Sequence, residues 1–257
     1  MDRLTLPIYQ TMRLIPLFLL ATLSLHAQTA QEIIAQGDAL DAKLRSEDAL
    51  PLYLKAEKLQ PDDANLLIKI AKQYGESMTG MKSAAAKRTA GETALTYAQR
   101  AVKQSPKMAD AHLAVAICYG RLLELMPARQ KVEYSKLVRQ GAEKAIQIDP
   151  KSDYGWHMLG RWHQAVATMD GFTKVIVKII YGGLPDASLE EAVKCFEKAR
   201  QLKADRLAHT VELGRTYAMM DRKAEAKKYL DQGLAMQNKE RDDPDTKARG
   251  RETLKTL

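Results

Sequence analysis

Between Trp156 and His163 the chain reads WHMLGRWH, a stretch that gathers both of its tryptophans and two of its five histidines. Imidazoles this near each other could ligate zinc or pass protons. Their spacing argues against it: His157 and His163 are six residues apart, so on a helix they do not share a face as the i, i+4 histidines of a helical zinc pair do. His112 and His209 each stand among apolar neighbours near the start of a helical pattern and read as packing or surface residues. Cys118 and Cys195 sit in AVAICYG and EAVKCFEKA, contexts in which a free thiol packs as a small hydrophobe. A disulfide between them is the alternative in an oxidising compartment, but two cysteines make no disulfide framework and no CxxC site. Nucleophile-elbow, Walker-type and HExxH signatures are absent, and paired carboxylates such as those of LEEA read as solvated helix faces. The expectation is no catalytic residue, no metal and no cofactor.

The elements that carry these residues are helical. The 257 residues are 46% hydrophobic and 28% charged, enough apolar side chains for a sizeable core and no charge excess of the kind that keeps a chain disordered. Ala, Leu, Lys, Glu and Gln dominate, without the Val/Ile/Thr alternation of strands. The net charge of +8 is spread along the chain, with no run of five like charges, so a nucleic-acid partner is not expected.

A recurring pattern organises the helices. Trp156, Leu159, Gly160 and His163 are followed by Ala192, Phe196 and Ala199; Leu213, Gly214 and Tyr217 are followed by Ala226 and Leu230. Ile33, Gly37 and Leu40 precede Ala49, Tyr53, Ala56 and Pro61, and two further units end in Ala94, Ala98, Ala101, Pro106 and in Val138, Ala142, Ala145, Pro150. This is the tetratricopeptide repeat, W-x2-L-G-x2-Y then A-x3-F-x2-A and a late Pro. Small Gly or Ala in the first helix lets the second approach closely, and the Ala-x3-Phe-x2-Ala spacing sets three residues on one face toward it. Pro61 to Pro106 and Pro106 to Pro150 are 45 and 44 residues apart, beyond the repeat's usual ~34. The excess falls between the two helices of a pair. The predicted fold is all-α: a right-handed α-α superhelix of about five helix pairs, with an extra short helix inserted in the fourth.

Within that pattern, LGRW at 159–162 followed by YGGLPDASLEEAVKCFEKA at 181–199 resembles the regulator of microtubule dynamics family. The resemblance covers about residues 47–240. It implies a non-enzymatic, tetratricopeptide-like helical domain; eukaryotic members are associated with microtubules, and one with organelle contacts and phospholipid binding. It supplies no ligand residues to carry over.

The insertion between Thr168 and Ala187 is the least regular segment. FTKVIVKII carries Val175, Ile176, Ile179 and Ile180, with Lys174 and Lys178 on one stripe, and reads as a short amphipathic helix. Asp170-Gly171 should open it and Gly182-Gly183 close it, and Ser188 with Glu191 forms a capping box for the next helix. Such a helix could plug the concave side as filler, lid an apolar groove, or touch a membrane; filler is the leading expectation. If it is a lid, Trp162, Phe172, Val175, Ile176, Ile179 and Tyr181 are the groove candidates. At the N-terminus, Arg13, the apolar run Leu14–Leu25 and Ala27 match a secretory signal over residues 1–27, with Met12 a candidate start. Export, periplasmic or secreted, is expected, with an uncleaved membrane attachment as the alternative. Residues 28–240 form the repeat domain and the polar residues 241–257 a capping helix or tail. The function expected first is a scaffold holding a protein or peptide partner in its concave groove; the alternative is a carrier of lipid or another apolar ligand. A closed apolar cavity would favour the carrier, an open charged groove the scaffold.

Overall fold

The computed structural model describes residues 28–257; the expected signal, residues 1–27, lies outside them. Twelve α-helices and no strand are found among the described residues. They pair as the repeat pattern requires: α1 (Ala30–Asp41) with α2 (Ser46–Glu57), α3 (Ala64–Ser77) with α4 (Ala84–Gln104), and α5 (Ala109–Leu122) with α6 (Ala128–Ile148). The fourth pair is α7 (Asp153–Ala167) with α9 (Leu189–Leu202), interrupted by the inserted α8 (Gly171–Tyr181); α10 (Leu207–Met219) with α11 (Lys223–Ala235) is the fifth. A last helix, α12 (Asp243–Lys255), lies on α10 and α11.

The pairing rests on a size complementarity. Side chains built onto Gly37, Gly160 and Gly214 would run into Tyr53, Phe196 and Leu230 at 2.6, 3.0 and 2.8 Å. Each of those large residues is fully buried on the second helix of its pair, flanked by the equally buried alanines Ala49, Ala56, Ala192, Ala199 and Ala226. In the second and third pairs alanine takes the tight position: Ala71 and Ala116 are buried, with Tyr74 and Tyr119 packed against the same core. Full burial of one Phe or Leu side chain stabilises by about 1.5–3 kcal/mol, so these contacts dominate the joining of each pair. Burial of Tyr53 leaves a polar tip, and its hydroxyl donates to Asp38 at 2.7 Å.

The long spacings have a plain cause. Helices α4 and α6 run for 21 residues each, following the short 3-10 turns Met78–Gly80 and Leu123–Leu125. Residues 84–89 of α4 stand mostly in solvent, so the extra turns overhang the array.

The structure corrects three readings. Trp156 and Leu159 are only half-buried: α7 turns Gly155, His157, Gly160, Trp162 and His163 inward instead, and the Trp156 indole N–H donates to the Pro150 carbonyl at 3.0 Å, sealing the turn after α6. Ser188 caps α9 by accepting from the Glu191 amide, but the Glu191 carboxylate completes no box because it pairs with Lys194 at 2.6 Å. The third concerns α8. It begins at an Asp170 cap and ends on Gly182 in the left-handed region (φ 74°), as the sequence implies. Yet only Val177 is buried and Ile176 half-buried; Phe172, Val175, Ile179 and Ile180 face outward. The helix is not a plug of the concave side.

Candidate binding site on the concave face

The concave side is lined by α1, α3, α5, α7 and α10, the first helices of successive pairs, and these are joined by polar rungs. Asp38 and Asp41 of α1 accept from Lys69 and Lys72 of α3, both at 2.7 Å. Between α7 and α10 the rungs are His157 to His209 (3.0 Å), Arg161 to Glu212 (2.9 Å) and Gln164 to Thr216 (3.1 Å). Their spacing on each helix, i, i+4, i+7 against i, i+3, i+7, is that of one face meeting another.

Two of these rungs are buried charge or proton networks. Glu212 is almost wholly buried and receives three guanidinium groups, from Arg161, Arg215 (2.6 Å) and Arg249 of α12 (3.3 Å). Burial alone would raise its carboxyl pKa, but the three cations outweigh it and hold the group below the ordinary carboxylate value. In the second network, Asp153 pairs with Arg206 and accepts from His209 Nε2 at 2.9 Å. That bond places the His209 proton on Nε2, so its Nδ1 accepts from the Nδ1–H of His157 and both rings are neutral. Burial, then the closeness of a second imidazole in His209 and of Arg161, Arg206 and Arg249, which all oppose a further positive charge, holds His157 well below its ordinary pKa. Burial also lowers His209, with Asp153 opposing. The relay ends at the cavity wall on His157, and among the described residues no Ser, Thr or Cys is hydrogen-bonded to it. Among the described residues no group of three or more His, Cys, Asp or Glu side chains could hold a metal ion.

A strap of the chain's own C-terminal region crosses this face. Lys239 pairs with Asp205 and Glu240 with Arg206; Arg241 reaches Glu47 of α2, and Asp242 takes Arg121 of α5 at 2.5 Å. The strap fixes its own turn, because the Asp243 carboxylate accepts from the Lys239 and Glu240 amides.

Two recesses share this partition. One, of about 670 Å³, lies between α5, α6, α7 and α8, with Val132, Val138, Met158, Trp162, Val166 and Ile176 on its wall and, toward the strap, Arg121, Arg161 and Arg249 together with the carboxylates of Glu212, Glu240, Asp242 and Asp243. The other, of about 620 Å³, is framed by charged side chains, among them Lys72, Glu76, Asp110, Lys151 and Arg206. Ile117, Arg121, Tyr154, Glu240 and Asp242 border both. Tyr154, pushed up to about 12 by burial and then by Glu240, stays a neutral phenol there.

Of the six groove candidates, the structure brings Trp162, Ile176 and Tyr181 to the wall of the apolar recess. The Trp162 indole donates to Ser135 at 3.0 Å and lies under the Arg139 guanidinium. Phe172, Val175 and Ile179 are turned away from the recess, on the opposite face of α8. Sequence reasoning missed the His157–His209 rung and the Arg cage of Glu212. The signal was present as polar residues at helical spacing within first helices, where a repeat otherwise places apolar ones. Cys118 and Cys195 are both buried and unpaired, each thiol pushed up to about 12 chiefly by burial.

Comparison with known proteins agrees with this architecture. Regulator of microtubule dynamics protein 1 of Mus musculus is 26% identical over 195 residues, 75% of this chain and 63% of that protein. The Bos taurus protein of the same name is 28% identical over 197 residues, 75% of this chain and 61% of that one. The chain thus spans about three fifths of the length of the curated relatives it matches. Among solved structures, a thermophilic TPR protein of Thermus thermophilus superposes with a TM-score of 0.62 at 18% identity, covering 88% of this chain and 99% of its own. That likeness shows the tetratricopeptide-type fold. The family profile described as Regulator of microtubule dynamics protein 1-3 matches residues 33–257, every helix pair and α12 included, and the chain belongs to that family.

Proposed function

We propose that this is a non-enzymatic binding protein whose working site is the apolar recess, and that its occupant is an apolar molecule with one polar end, of the size of an acyl chain. The observation that carries this reading is the strap. Residues 239–242 cross the concave face from the fifth pair to Glu47 and Arg121, so a long peptide has no continuous path along the superhelix. What remains beside the strap is a recess of about 670 Å³ with apolar walls and, at one end, the ion-paired arginines and carboxylates of the Arg121–Asp242 and Arg161/Arg249–Glu212 contacts, a size and lining usual for small-molecule sites. Aliphatic walls would take the chain, and the ion-paired rim of Arg121 with Asp242 and of Arg161 and Arg249 with Glu212 would face the polar end.

The charged recess favours a second reading, a protein or peptide partner held by ion pairs on a tetratricopeptide-type concave surface. Native mass spectrometry of the purified chain separates the two. Ala165 borders the apolar recess and is exposed, so Ala165→Trp fills the volume without entering the core. The expected result is a co-purified small mass that Ala165→Trp loses at unchanged melting temperature. A co-purified polypeptide, or no bound mass in a lipid extract titration, overturns the carrier reading. The same proposal places the chain outside the cytosol. Expressed in a Gram-negative host, it should yield a mature N-terminus at or near Gln28; an intact N-terminus with cytosolic recovery refutes export.

A further inference from the structure

The outer face of α8 has no use in the recess it walls. Phe172, Val175, Ile179 and Ile180 are 76, 54, 76 and 62% exposed, and they include the most exposed large apolar side chains among the described residues. Phe172, Val175 and Ile179 stand at i, i+3, i+7, with Ile180 on the flank, so they form one continuous stripe. Lys174 and Lys178 run beside it at i, i+4. Between Gly171 and Leu184 there is no acidic residue. The helix is held at its base by the buried Val177, by the Lys174 ammonium on the Ala167 carbonyl, and by Lys136 of α6 on the Tyr181 carbonyl. It ends abruptly because Gly182 and Gly183 adopt φ of 74° and 80°, which other residues resist.

We infer that α8 docks on an anionic lipid surface, burying the Phe172–Val175–Ile179–Ile180 stripe among the acyl chains with Lys174 and Lys178 at the headgroups. Two observations choose this occupant over a second copy of the chain. First, eleven residues give a helix roughly 16 Å long. A stripe about 10 Å wide on it offers some 160 Å² per copy, far below the ~800 Å² per partner of a stable interface. A bilayer needs no such area: a few inserted apolar side chains plus flanking lysines suffice for reversible binding. Second, the charge beside the stripe is of one sign, which opposes self-association about a twofold axis and suits an anionic surface. Docked this way, α8 would lie between the membrane and the recess, whose wall it forms with Ile176, Val177 and Tyr181. The inference does not depend on what the recess holds.

The test uses the full chain, so residues 1–27 contribute equally to every sample. Cys118 and Cys195 are buried, so Val175→Cys takes an environment-sensitive fluorophore at one site. Phosphatidylcholine vesicles containing phosphatidylserine should shift its emission to the blue, and brominated acyl chains should quench it. Vesicles of phosphatidylcholine alone should do so far less. Lys178→Gln should weaken vesicle partitioning by about 5-fold, and Phe172→Ser with Ile179→Ser should abolish the shift. Phe172, Lys178 and Ile179 are exposed, so unchanged circular dichroism and melting temperature serve as the folding control. A label indifferent to vesicles overturns the inference, as does a shift that survives the Phe172/Ile179 variant. So does a doubled mass in sedimentation velocity that the same variant returns to monomer.

Discussion

Acid should loosen the α7–α10 joint before it touches any carboxylate. His157 and His209 are both neutral in the fold, and both are held below the ordinary value of 6.5, which the unfolded chain regains. The groups facing them are Asp153, Arg206, Arg161, Arg249 and Glu240; only the carboxylates favour protonation, and burial outweighs them. For such depressed bases the unfolded state binds the extra proton first. Stability is therefore complete above about pH 6.5 and falls as pH drops below it, until the folded-state pKa values are reached. If neither ring protonates in the fold, each histidine removes about 1.4 kcal/mol between pH 7.5 and 5.5, and the pair at most about 2.8. Against a total stability on the order of 5–15 kcal/mol, that is readily measured. Asp153 and Glu212, whose pKa values are lowered, lose their contributions only as pH falls through the carboxylate range beneath this window. Urea melts at the two pH values should show the fall. His157→Gln with His209→Gln retains donors and acceptors but does not titrate, so it should flatten most of the slope; His163, also lowered, leaves a remainder of the same sign. A wild-type protein equally stable at both pH values, or a double variant with an undiminished slope, would refute the neutral-pair assignment.

Other perturbations read other parts of the fold. Gly160→Leu drives side-chain atoms into the Phe196 ring, 3.0 Å from where a Cβ would sit, and should destabilise by about 1–3 kcal/mol; exposed Lys228→Ala should stay within about 0.5 kcal/mol, and equal melting temperatures would contradict the repeat register. Glu212→Ala leaves Arg161, Arg215 and Arg249 without their shared carboxylate and should lower unfolding free energy by about 1–3 kcal/mol, measured by denaturant titration. Val177→Ser, on the inward face of α8, should cost about 1–2 kcal/mol, whereas Ile179→Ser, on the exposed face, should lie within about 0.5 kcal/mol; the reverse order would mean that α8 is turned the other way.

The helix pairs were legible because their determinants are local. Gly160 with Phe196 and Gly214 with Leu230 are size complements at fixed spacing, and Pro61, Pro106 and Pro150 lie in the turns that follow α2, α4 and α6. The ends of α8 were legible for the same reason, since Asp170 and the Gly182-Gly183 pair act on their own backbone. The facing of α8 was not. A stripe of Ile, Val and Phe announces an amphipathic helix, but the two sides of this one are both apolar: Val177 with Ile176 inward, Phe172 with Ile179 outward. Only the position of α6 beneath it decides which set is buried. Trp156 misled because the repeat favours a large residue there, whereas the turn at Pro150 offers its indole a carbonyl. The strap was invisible for a further reason. Arg121 and Asp242 are 121 residues apart, and nothing in a polar KERDD sequence says that the superhelix brings them together.

The departures from repeat regularity are also where binding capacity collects. A uniform array buries its apolar faces between neighbours and leaves an open concave ramp. Here two additions change that ramp. Helix α8 adds a wall over α6 and α7, which turns part of the ramp into an apolar recess. The strap before α12 adds a charged partition, and the Arg121–Asp242 and Arg206–Glu240 pairs fix it at both sides of the face. Neither addition is required to join the five pairs, whose cores lie on the other side of the first helices among Tyr53, Leu122, Phe196 and Leu230. Loss of the strap's anchor should therefore act on binding more than on folding: Asp242→Ala leaves Arg121, only 24% exposed, without its carboxylate and should cost about 1–3 kcal/mol. By merging the two recesses, the same variant should weaken retention of a small apolar ligand while admitting longer ones. A large drop in melting temperature with unaltered ligand retention would show instead that the strap is a structural clasp.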